Sequence, residues 1–215
     1  MDGQDRQGRL ATVITGDEDM DQGASMDSAS CGEGVLLAAW VYEGFPNQAP
    51  DSHGYYGPAA AKQLRYLLKN VTRTPTGAIS QRASPKQVQL WSDSAYMGPP
   101  FLAYYGWVTQ NQSLVQMAFD ELKLQRSALH RPQDPGRHLW RHIIEFPNNT
   151  KATRAIDARV WLTGNGWAAA GMLRVAAIIS HSPWADKMQA QHDQLVQWAD
   201  DIITACLLYT SDAAD

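Results

Sequence analysis

Residues 91–107 read WSDSAYMGPPFLAYYGW, and Asp93 is the one charged residue in this apolar and aromatic stretch. A segment that is apolar on every side is typical of a buried helix. A carboxyl group in such poorly hydrated surroundings has a raised pKa, because burial disfavours its charged form. A general acid that works near neutral pH needs such a pKa. The alternative is that Asp93 caps a helix beginning near Ser94 by accepting backbone N–H groups.

An apolar helix followed by an amphipathic one is predicted three times along the chain. The apolar segments and the amphipathic segments that follow them span residues 34–43 and 59–69, 94–107 and 111–129, and 165–180 and 184–204. In the amphipathic segments the apolar residues recur at helical spacing. Asn111 or Ser113 is a suitable cap for the second, and Ser182 followed by Pro183 for the third. Repeated hairpins bury their faces only against neighbours, so the sequence predicts an all-α fold of about three helical hairpins.

Composition limits the possible classes of function. The chain has 215 residues, which suggests one domain, and a net charge of -4. No cluster of Lys and Arg is interleaved with aromatic residues, which argues against a nucleic-acid partner. No apolar run approaches the length of a membrane span. Cys31 and Cys206 form neither a disulfide framework nor a zinc-type spacing. We expect no metal and no cofactor.

Both ends of the chain differ in composition from its middle. Residues 1–30 are rich in Asp, Gly, Gln and Ser, which predicts a flexible segment before a domain at 31–205. This segment lacks the features of a signal peptide. Sequons at Asn70, Asn111 and Asn148 nevertheless favour a secreted parent protein, with a cytoplasmic one as the alternative. Residues 206–215, CLLYTSDAAD, resemble a translated sequencing adapter, so we expect a non-native tail on a truncated fragment.

Two long motifs in this order resemble those of a known enzyme family. WSDSAYMGPPFLAYYG at 91–106 and WLTGNGWAAAGM at 161–172 are similar to the motifs of glycoside hydrolase family 105, especially its fungal branch. These enzymes are unsaturated rhamnogalacturonyl hydrolases, and the resemblance covers roughly residues 27–203. It implies a six-hairpin (α/α)6 toroid, of which three hairpins would form half.

The resemblance also implies a reaction and a partner. The expected activity removes the terminal 4,5-unsaturated galacturonyl residue from lyase-generated rhamnogalacturonan oligosaccharides by hydration of the C4=C5 double bond. The expected partner is thus an unsaturated pectin-derived oligosaccharide. Two alternatives remain: an unsaturated glucuronyl hydrolase acting on glycosaminoglycan fragments, and an inactive helical-hairpin fragment that only binds carbohydrate.

Three residues match the polar positions of the family's site. Asp93 corresponds to the acid/base aspartate, and Asp27 resembles the second aspartate. Asp27 could instead belong to a disordered acidic tail. His142 ends the block LWRH at 139–142, which corresponds to a substrate-facing histidine, although a lone histidine is more often a surface or core residue.

Further residues are candidates for binding the sugar. Arg82 and Arg141 could grip the uronate carboxylate through two hydrogen bonds each, or could be ordinary surface arginines. Trp161 and Trp167 could form the floor of the sugar pocket, with core packing as the alternative. Asn165 stands between them and is expected to bind substrate.

Two glycines and two departures from the family pattern lie close to these candidates in the sequence. Gly164 and Gly166 are expected to permit backbone geometry in a turn that other residues would strain. Two positions depart from patterns seen in relatives: Thr163 stands where bacterial members have Arg, and Gln81 stands where many relatives have His. The second departure affects the expected contacts with substrate.

A long connection lies between the second and third hairpins. Residues 130–159 contain Pro132, Pro135 and Pro147 as well as paired asparagines. Connections of this length in a compact domain are usually functional or carry secondary structure of their own. We therefore predict a functional segment or a partial strand here.

Overall fold

The computed structural model describes residues 4–5, 7–10, 23–44, 54–131 and 138–211, with the backbone alone for 209–211. This part of the chain is mostly helical, as predicted. The helices are α1 (Ser25–Glu43), α2 (Tyr56–Arg65), α3 (Ser94–Met97), α4 (Pro99–Val108), α5 (Gln112–Leu129), α6 (Leu162–Ser180) and α7 (Gln189–Ser211). The strands are β1 (Gln89–Trp91), β2 (Arg141–Glu145) and β3 (Arg154–Val160). None of the described helices is long and apolar enough to cross a membrane.

The helices form three successive hairpins, which confirms the predicted arrangement. Helix α1 packs on α2, α4 on α5, and α6 on α7. The inner helices also pack side by side, since α1 contacts α3 and α4 and both of these contact α6. A cavity of about 450 Å³ is lined only by residues of α1, α4 and α6. The inner helices therefore share one concave side, as expected for part of a helical toroid.

The second inner helix is broken into α3 and α4, where the sequence predicts one helix over 94–107. The break lies at Gly98, directly before Pro99 and Pro100, which begin α4. Proline has no N–H to donate and therefore fits the first turn of a helix better than its interior. A Cβ atom on Gly98 would lie 2.2 Å from Sδ of Met26, so the lack of a side chain at this position lets α1 approach closely.

The first inner helix begins nine residues earlier than the periodicity predicts. Helix α1 starts at Ser25, whose N–H donates to the carbonyl of Gln81 (2.8 Å), and it ends at Gly44 with φ +68°. Residues 25–30 of the segment predicted to be flexible are therefore helical. Leu10 is also held, by an N–H bond to Oε1 of Gln63 (2.8 Å). Residues 1–3, 6 and 11–22 lie outside the described residues.

The outer helix α5 starts at the predicted cap, whereas α7 starts later than predicted. Asn111 caps α5 by accepting the N–H of Ser113 (3.1 Å), as expected. Oγ of Ser182 accepts the N–H of Trp184, but a turn and a short 3-10 segment follow, so that α7 begins only at residue 189. Helix α7 continues through residues 206–211 of the predicted non-native tail, and residues 212–215 lie outside the described part.

A small antiparallel sheet supplements the helices, with strand order β1-β2-β3. Strands β2 and β3 confirm that the long connection contains strand structure. Strand β1 was not predicted, because three residues are too few for an alternating pattern to be visible. The pairing of β2 with β3 contains two register shifts, and such bulges bend a strand and re-aim its side chains.

One ionisable group lies inside the core. Glu121 of α5 is fully buried, and its carboxylate accepts the N–H of Ile79 and the side-chain amide of Gln125, each at about 3 Å. Burial raises the pKa of Glu121 to about 7, against the lowering effect of these hydrogen bonds and of the charge on Arg73. This carboxyl therefore titrates near neutral pH while it holds the segment that leads to Gln81.

Candidate active site

Asp93 lies where the small sheet meets the inner helices. Strand β1 ends at Trp91, and the next N–H, that of Ser92, donates to the carbonyl of His142 (2.9 Å). Asp93 is half-buried at the head of α3, and its Oδ1 is buried without a hydrogen-bond partner among the described residues. Its side chain makes no capping bond to α3. The structure therefore does not support the capping alternative.

The surroundings of Asp93 favour its protonated form. Burial raises the pKa of its carboxyl group, and the negative charge of nearby Asp27 acts in the same direction. Its own backbone N–H and His142 oppose these effects without reversing them. Asp93 thus keeps its proton to higher pH than an ordinary aspartic acid, which is the property a general acid requires.

Asp27 lies in the first turn of α1 and is connected to the head of α3 by one side chain. Nε2 of Gln81 donates to Oδ1 of Asp27 (2.9 Å), and Oε1 of Gln81 accepts the hydroxyl of Ser94 (2.7 Å). Asp27 belongs to an ordered helix rather than to a disordered tail. The structure therefore places the two predicted aspartates within electrostatic range of each other.

His142 lies on β2, between two tryptophan rings. Its ring centroid is 4.5 Å from that of Trp161 and 5.8 Å from that of Trp91. Nδ1 of His142 lies 3.1 Å from Oδ2 of Asp157, on the neighbouring strand β3. The histidine is half-buried and its orientation is fixed from three sides, so it is neither an ordinary surface residue nor a core residue.

A cavity of about 320 Å³ opens beside this histidine. It is lined by His142, Asp157, Arg159, Val160 and Trp161. Nε and Nη2 of Arg159 donate to the two oxygens of Asp157 (2.9 and 3.0 Å). These bonds, together with that of His142, hold the pKa of Asp157 well below its usual range. The cavity wall thus presents an aromatic face, an imidazole and a guanidinium that is 87% exposed.

The two candidate tryptophans occupy different places. Trp161 is 40% exposed and lines the cavity. Trp167 lies in the second turn of α6, and its ring centroid is 4.6 Å from that of Tyr96, one turn after Asp93. Of the predicted site residues Asp93, His142, Trp161 and Trp167, the cavity lining therefore contains His142 and Trp161 but not Asp93 or Trp167.

Asn165 has a different place from the predicted one. It is fully buried; its Oδ1 accepts the N–H of Trp140 (2.7 Å), and its Nδ2 donates to the carbonyls of Trp140 and Trp161. Every polar atom of its side chain is used to join α6 to the segment before β2. Asn165 therefore stabilises the backbone that carries the site, and in this structure its side chain is not accessible to a substrate.

The neighbouring glycines lie inside helix α6, so the predicted turn and its unusual backbone geometry are wrong. The positive-φ glycines of the described residues are found elsewhere. A Cβ atom on Gly164 would lie 2.2 Å from Oγ of Ser92, whereas one on Gly166 would meet nothing within 4 Å. Gly164 is needed for close packing against the residue before Asp93.

The two predicted carboxylate-binding arginines are not in the cavity lining. Arg82 precedes β1 in the sequence, and its guanidinium lies 5.1 Å from the centre of the Trp91 ring. Arg141 pairs with Val160 through the backbone of β2 and β3. The arginine that lines the cavity is Arg159, which the sequence did not single out. Its spacing of two from Asp157 was an available signal, because alternate residues of a strand share a face.

The concave side carries a second charged group. Arg174 of α6 forms an ion pair with Glu33 of α1, and its guanidinium lies 4.6 Å from the centre of the Tyr96 ring. Both charged residues line the larger cavity between the inner helices. Within the described ranges, no group of three or more His, Cys, Asp or Glu side chains is placed to hold a metal ion.

Comparisons with known proteins place the chain among glycosidases. The sequence model of the family described as Glycosyl Hydrolase Family 88 matches residues 4–210. Among solved structures, a family 105 glycoside hydrolase of C. acetobutylicum ATCC 824 is similar, with a TM-score of 0.66, 15% identity and a match over 95% of this chain and 50% of that chain.

Two further structures are each described as a possible member of family 105. The one from Salmonella enterica serovar Paratyphi A has a TM-score of 0.61 and 20% identity, and covers 80% of this chain and 41% of that chain. The one from Klebsiella pneumoniae MGH 78578 has a TM-score of 0.61, 19% identity and the same two coverages. The chain thus spans half or less of the length of these proteins, and their fold confirms the predicted six-hairpin type.

Proposed function

The chain belongs to glycosyl hydrolase family 88, and we propose from this premise that the full-length protein is an unsaturated rhamnogalacturonyl hydrolase. Its substrate would be a lyase-generated rhamnogalacturonan oligosaccharide with a terminal 4,5-unsaturated galacturonyl residue. The observation that carries the proposal is Asp93, a half-buried carboxyl with a raised pKa, a second carboxylate nearby and a buried oxygen that none of the described residues hydrogen-bonds.

The proposed reaction is hydration of the C4=C5 double bond rather than displacement at the anomeric carbon. Asp93 donates its proton to C4, and the positive charge that develops at C5 is shared with the ring oxygen. Water adds at C5 and returns a proton to the Asp93 carboxylate, after which the hemiketal opens and releases the remaining sugar. One carboxyl can serve both steps because it is first an acid and then a base.

The side chains around Asp93 suit the other requirements of this reaction. Burial first, and then the fixed negative charge of Asp27, favour the protonated form of Asp93. The exposed face of Trp161 is suited to stacking on the apolar face of a sugar ring. Arg159, on the same cavity wall, is suited to the uronate carboxylate because a guanidinium has five N–H donors, of which the bonds to Asp157 use two.

The preference for rhamnogalacturonan rests on the amino-acid sequences of the two motifs at 91–106 and 161–172, which resemble those of the fungal rhamnogalacturonyl hydrolases. In the first motif, Tyr96 lies against Trp167 of the second. The two motifs thus meet on the concave side beside Asp93, where a bound oligosaccharide would extend. This contact supports reading them as parts of one substrate site.

The proposal is tested by following the ultraviolet absorbance of the conjugated double bond in the full-length protein with lyase-cut rhamnogalacturonan. The wild-type protein should remove this absorbance and leave saturated oligosaccharides untouched. Asp93→Asn should lower the turnover by about 10²–10⁴-fold, the usual contribution of a positioned acid or base. Asp186→Asn, at an exposed position, is the matched control and should be fully active.

Two results would count against the proposal. Nearly full activity of Asp93→Asn would exclude Asp93 as the acid and base. Activity confined to unsaturated glycosaminoglycan fragments would keep the proton transfer but replace the proposed substrate.

A further inference from the structure

We propose that Gln81 is a positioning residue of the active site: its side-chain amide fixes the Asp27 carboxylate beside Asp93 and anchors the head of α3 through Ser94. The inference rests on the proposed function, since it assigns to Asp27 and Asp93 the roles given above. Gln81 does not itself touch the reacting atoms in this assignment.

The amide of Gln81 is held on all sides. The residue is 2% exposed. Its Nε2 donates to Oδ1 of Asp27 at 2.9 Å, and its Oε1 accepts the hydroxyl of Ser94 at 2.7 Å. Its backbone N–H donates to the carbonyl of Gln89 (2.8 Å), and its carbonyl accepts the N–H of Ser25 (2.8 Å). A side chain fixed in this way has one orientation, so it can fix its partners.

These bonds join the two elements that carry the carboxyl groups. Ser25 and Asp27 lie in the first turn of α1, and Ser94 directly follows Asp93 at the start of α3. A glutamine amide can donate and accept at the same time, and an ionised carboxylate can only accept. Asp27 therefore accepts the bond from Gln81 as a carboxylate, and this bond fixes its negative charge near Asp93.

The charged groups around Asp93 determine what loss of this bond would do. Asp27 faces it from α1 and raises its pKa, while His142 faces it from β2 and acts in the opposite direction. On α6, the charged residue Arg174 lies over the ring of Tyr96. If the Asp27 side chain were no longer held by Gln81, its charge would act less on Asp93, and the pKa of Asp93 would fall.

The test compares Gln81→Leu, Gln81→His and Gln87→Leu in the full-length protein with lyase-cut rhamnogalacturonan. Leucine removes both side-chain bonds, and we expect kcat to fall by about 10–100-fold, the cost of a misplaced catalytic group. The alkaline limb of the pH profile of kcat/KM should move to lower pH, because the acid form of Asp93 is lost earlier. Imidazole has both a donor and an acceptor nitrogen, so Gln81→His should restore much of the rate. Gln87 is exposed in the same loop, and Gln87→Leu should behave as wild type.

A fall in kcat without any shift of the alkaline limb, or no recovery in Gln81→His, would overturn the positioning role. If Gln81→Leu does not fold, Ser94→Ala frees one end of the amide and should shift the same limb in the same direction by a smaller amount; an unchanged profile there would also overturn it. An inactive wild-type protein, or a fully active Asp93→Asn, would instead contradict the proposed function itself.

Discussion

Nδ1 of His142 lies 3.1 Å from Oδ2 of Asp157, whose two oxygens also accept the bidentate guanidinium of Arg159. Arg159 first, and then His142, hold the pKa of Asp157 well below its usual range. Asp157 is therefore an ionised acceptor, and Nδ1 of His142 is the nitrogen that donates to it. Nε2 is then the nitrogen left to form a hydrogen bond with a sugar hydroxyl or a water molecule in the cavity.

This relationship predicts the effect of removing Asp157. In Asp157→Ala, the ring of His142 loses the bond that fixes its tautomer, and Arg159 loses its fixed orientation. We expect kcat/KM to fall by about tenfold or more, within the range that misplacement of a site residue causes. Steady-state kinetics of the variant and the wild-type protein measure this.

The control for Asp157→Ala is Glu145→Ala on the same hairpin. Glu145 forms an ion pair with Arg154, at the end of the β2–β3 ladder away from His142. It should leave kcat/KM within about twofold, because exposed ion pairs contribute little. Equal losses in the two variants would mean that the hairpin, rather than His142, is affected.

Arg159 should determine recognition of the uronate carboxylate. Arg159→Gln keeps a polar side chain but loses the charge and the fork of two donors, so KM should rise by about tenfold or more while kcat changes less. The matched control is Arg154→Gln on the same strand, where the guanidinium pairs with Glu145 outside the cavity lining. If both variants raise KM equally, general attraction of the anionic substrate is the cause, and Arg159 has no specific role.

The sequence predicted those features that depend on local pattern. Long segments with helical periodicity predicted the three hairpins. The position of Asp93 in an apolar stretch predicted that burial raises the pKa of its carboxyl group. The cap at Asn111 follows from the same kind of local rule. These predictions succeeded because the relevant atoms belong to residues that are close in the sequence.

The features that were missed depend on contacts between distant residues. Gln81 and Asp27 are 54 positions apart, and the buried amide of Asn165 bonds to Trp140, 25 positions away. A sequence shows that Asn165 is polar but not that all its hydrogen bonds are used by backbone groups. For the same reason, Gly164 was assigned to a turn, although its lack of a side chain is required by contact with Ser92.

The close packing of α6 on α3 should make one glycine indispensable and leave another replaceable. A Cβ atom on Gly171 would lie 2.2 Å from the carbonyl oxygen of Ala95, and backbone cannot move aside as a flexible side chain can. Gly171→Ala should therefore lower the free energy of unfolding by about 1–3 kcal/mol, as overpacking does. Denaturant unfolding measures this.

The control for this prediction lies one and a half turns earlier in the same helix. Apart from its own turn of helix, a Cβ atom on Gly166 would meet no atom of the described residues within 4 Å. Gly166→Ala should raise the free energy of unfolding by about 0.5–1 kcal/mol, because alanine loses less backbone entropy in a helix. A stable Gly171→Ala protein would show that α6 and α3 are not in such close contact.

The buried Glu121 should make stability depend on pH near neutrality. Its pKa is about 7 in the folded protein, against an ordinary value of 4.5, so the folded state holds a proton that the unfolded state releases between these values. Stability should therefore decrease as pH rises from about 4.5 to 7 and should change no further from this cause above 7. Glu121→Gln cannot ionise, so its free energy of unfolding relative to that of wild type should rise by up to about 3 kcal/mol between pH 5 and 8.

Urea unfolding of the two proteins at pH 5, 6.5 and 8 tests this dependence. The glutamine keeps an acceptor for the N–H of Ile79, but its amide has two donor hydrogens where the protonated carboxyl has one, so the variant should be the less stable protein at pH 5. Asp120→Asn, at the preceding exposed position of α5, is the matched control, and its difference from wild type should not grow with pH. A constant difference between Glu121→Gln and wild type across the three pH values would mean that Glu121 does not change its protonation on unfolding.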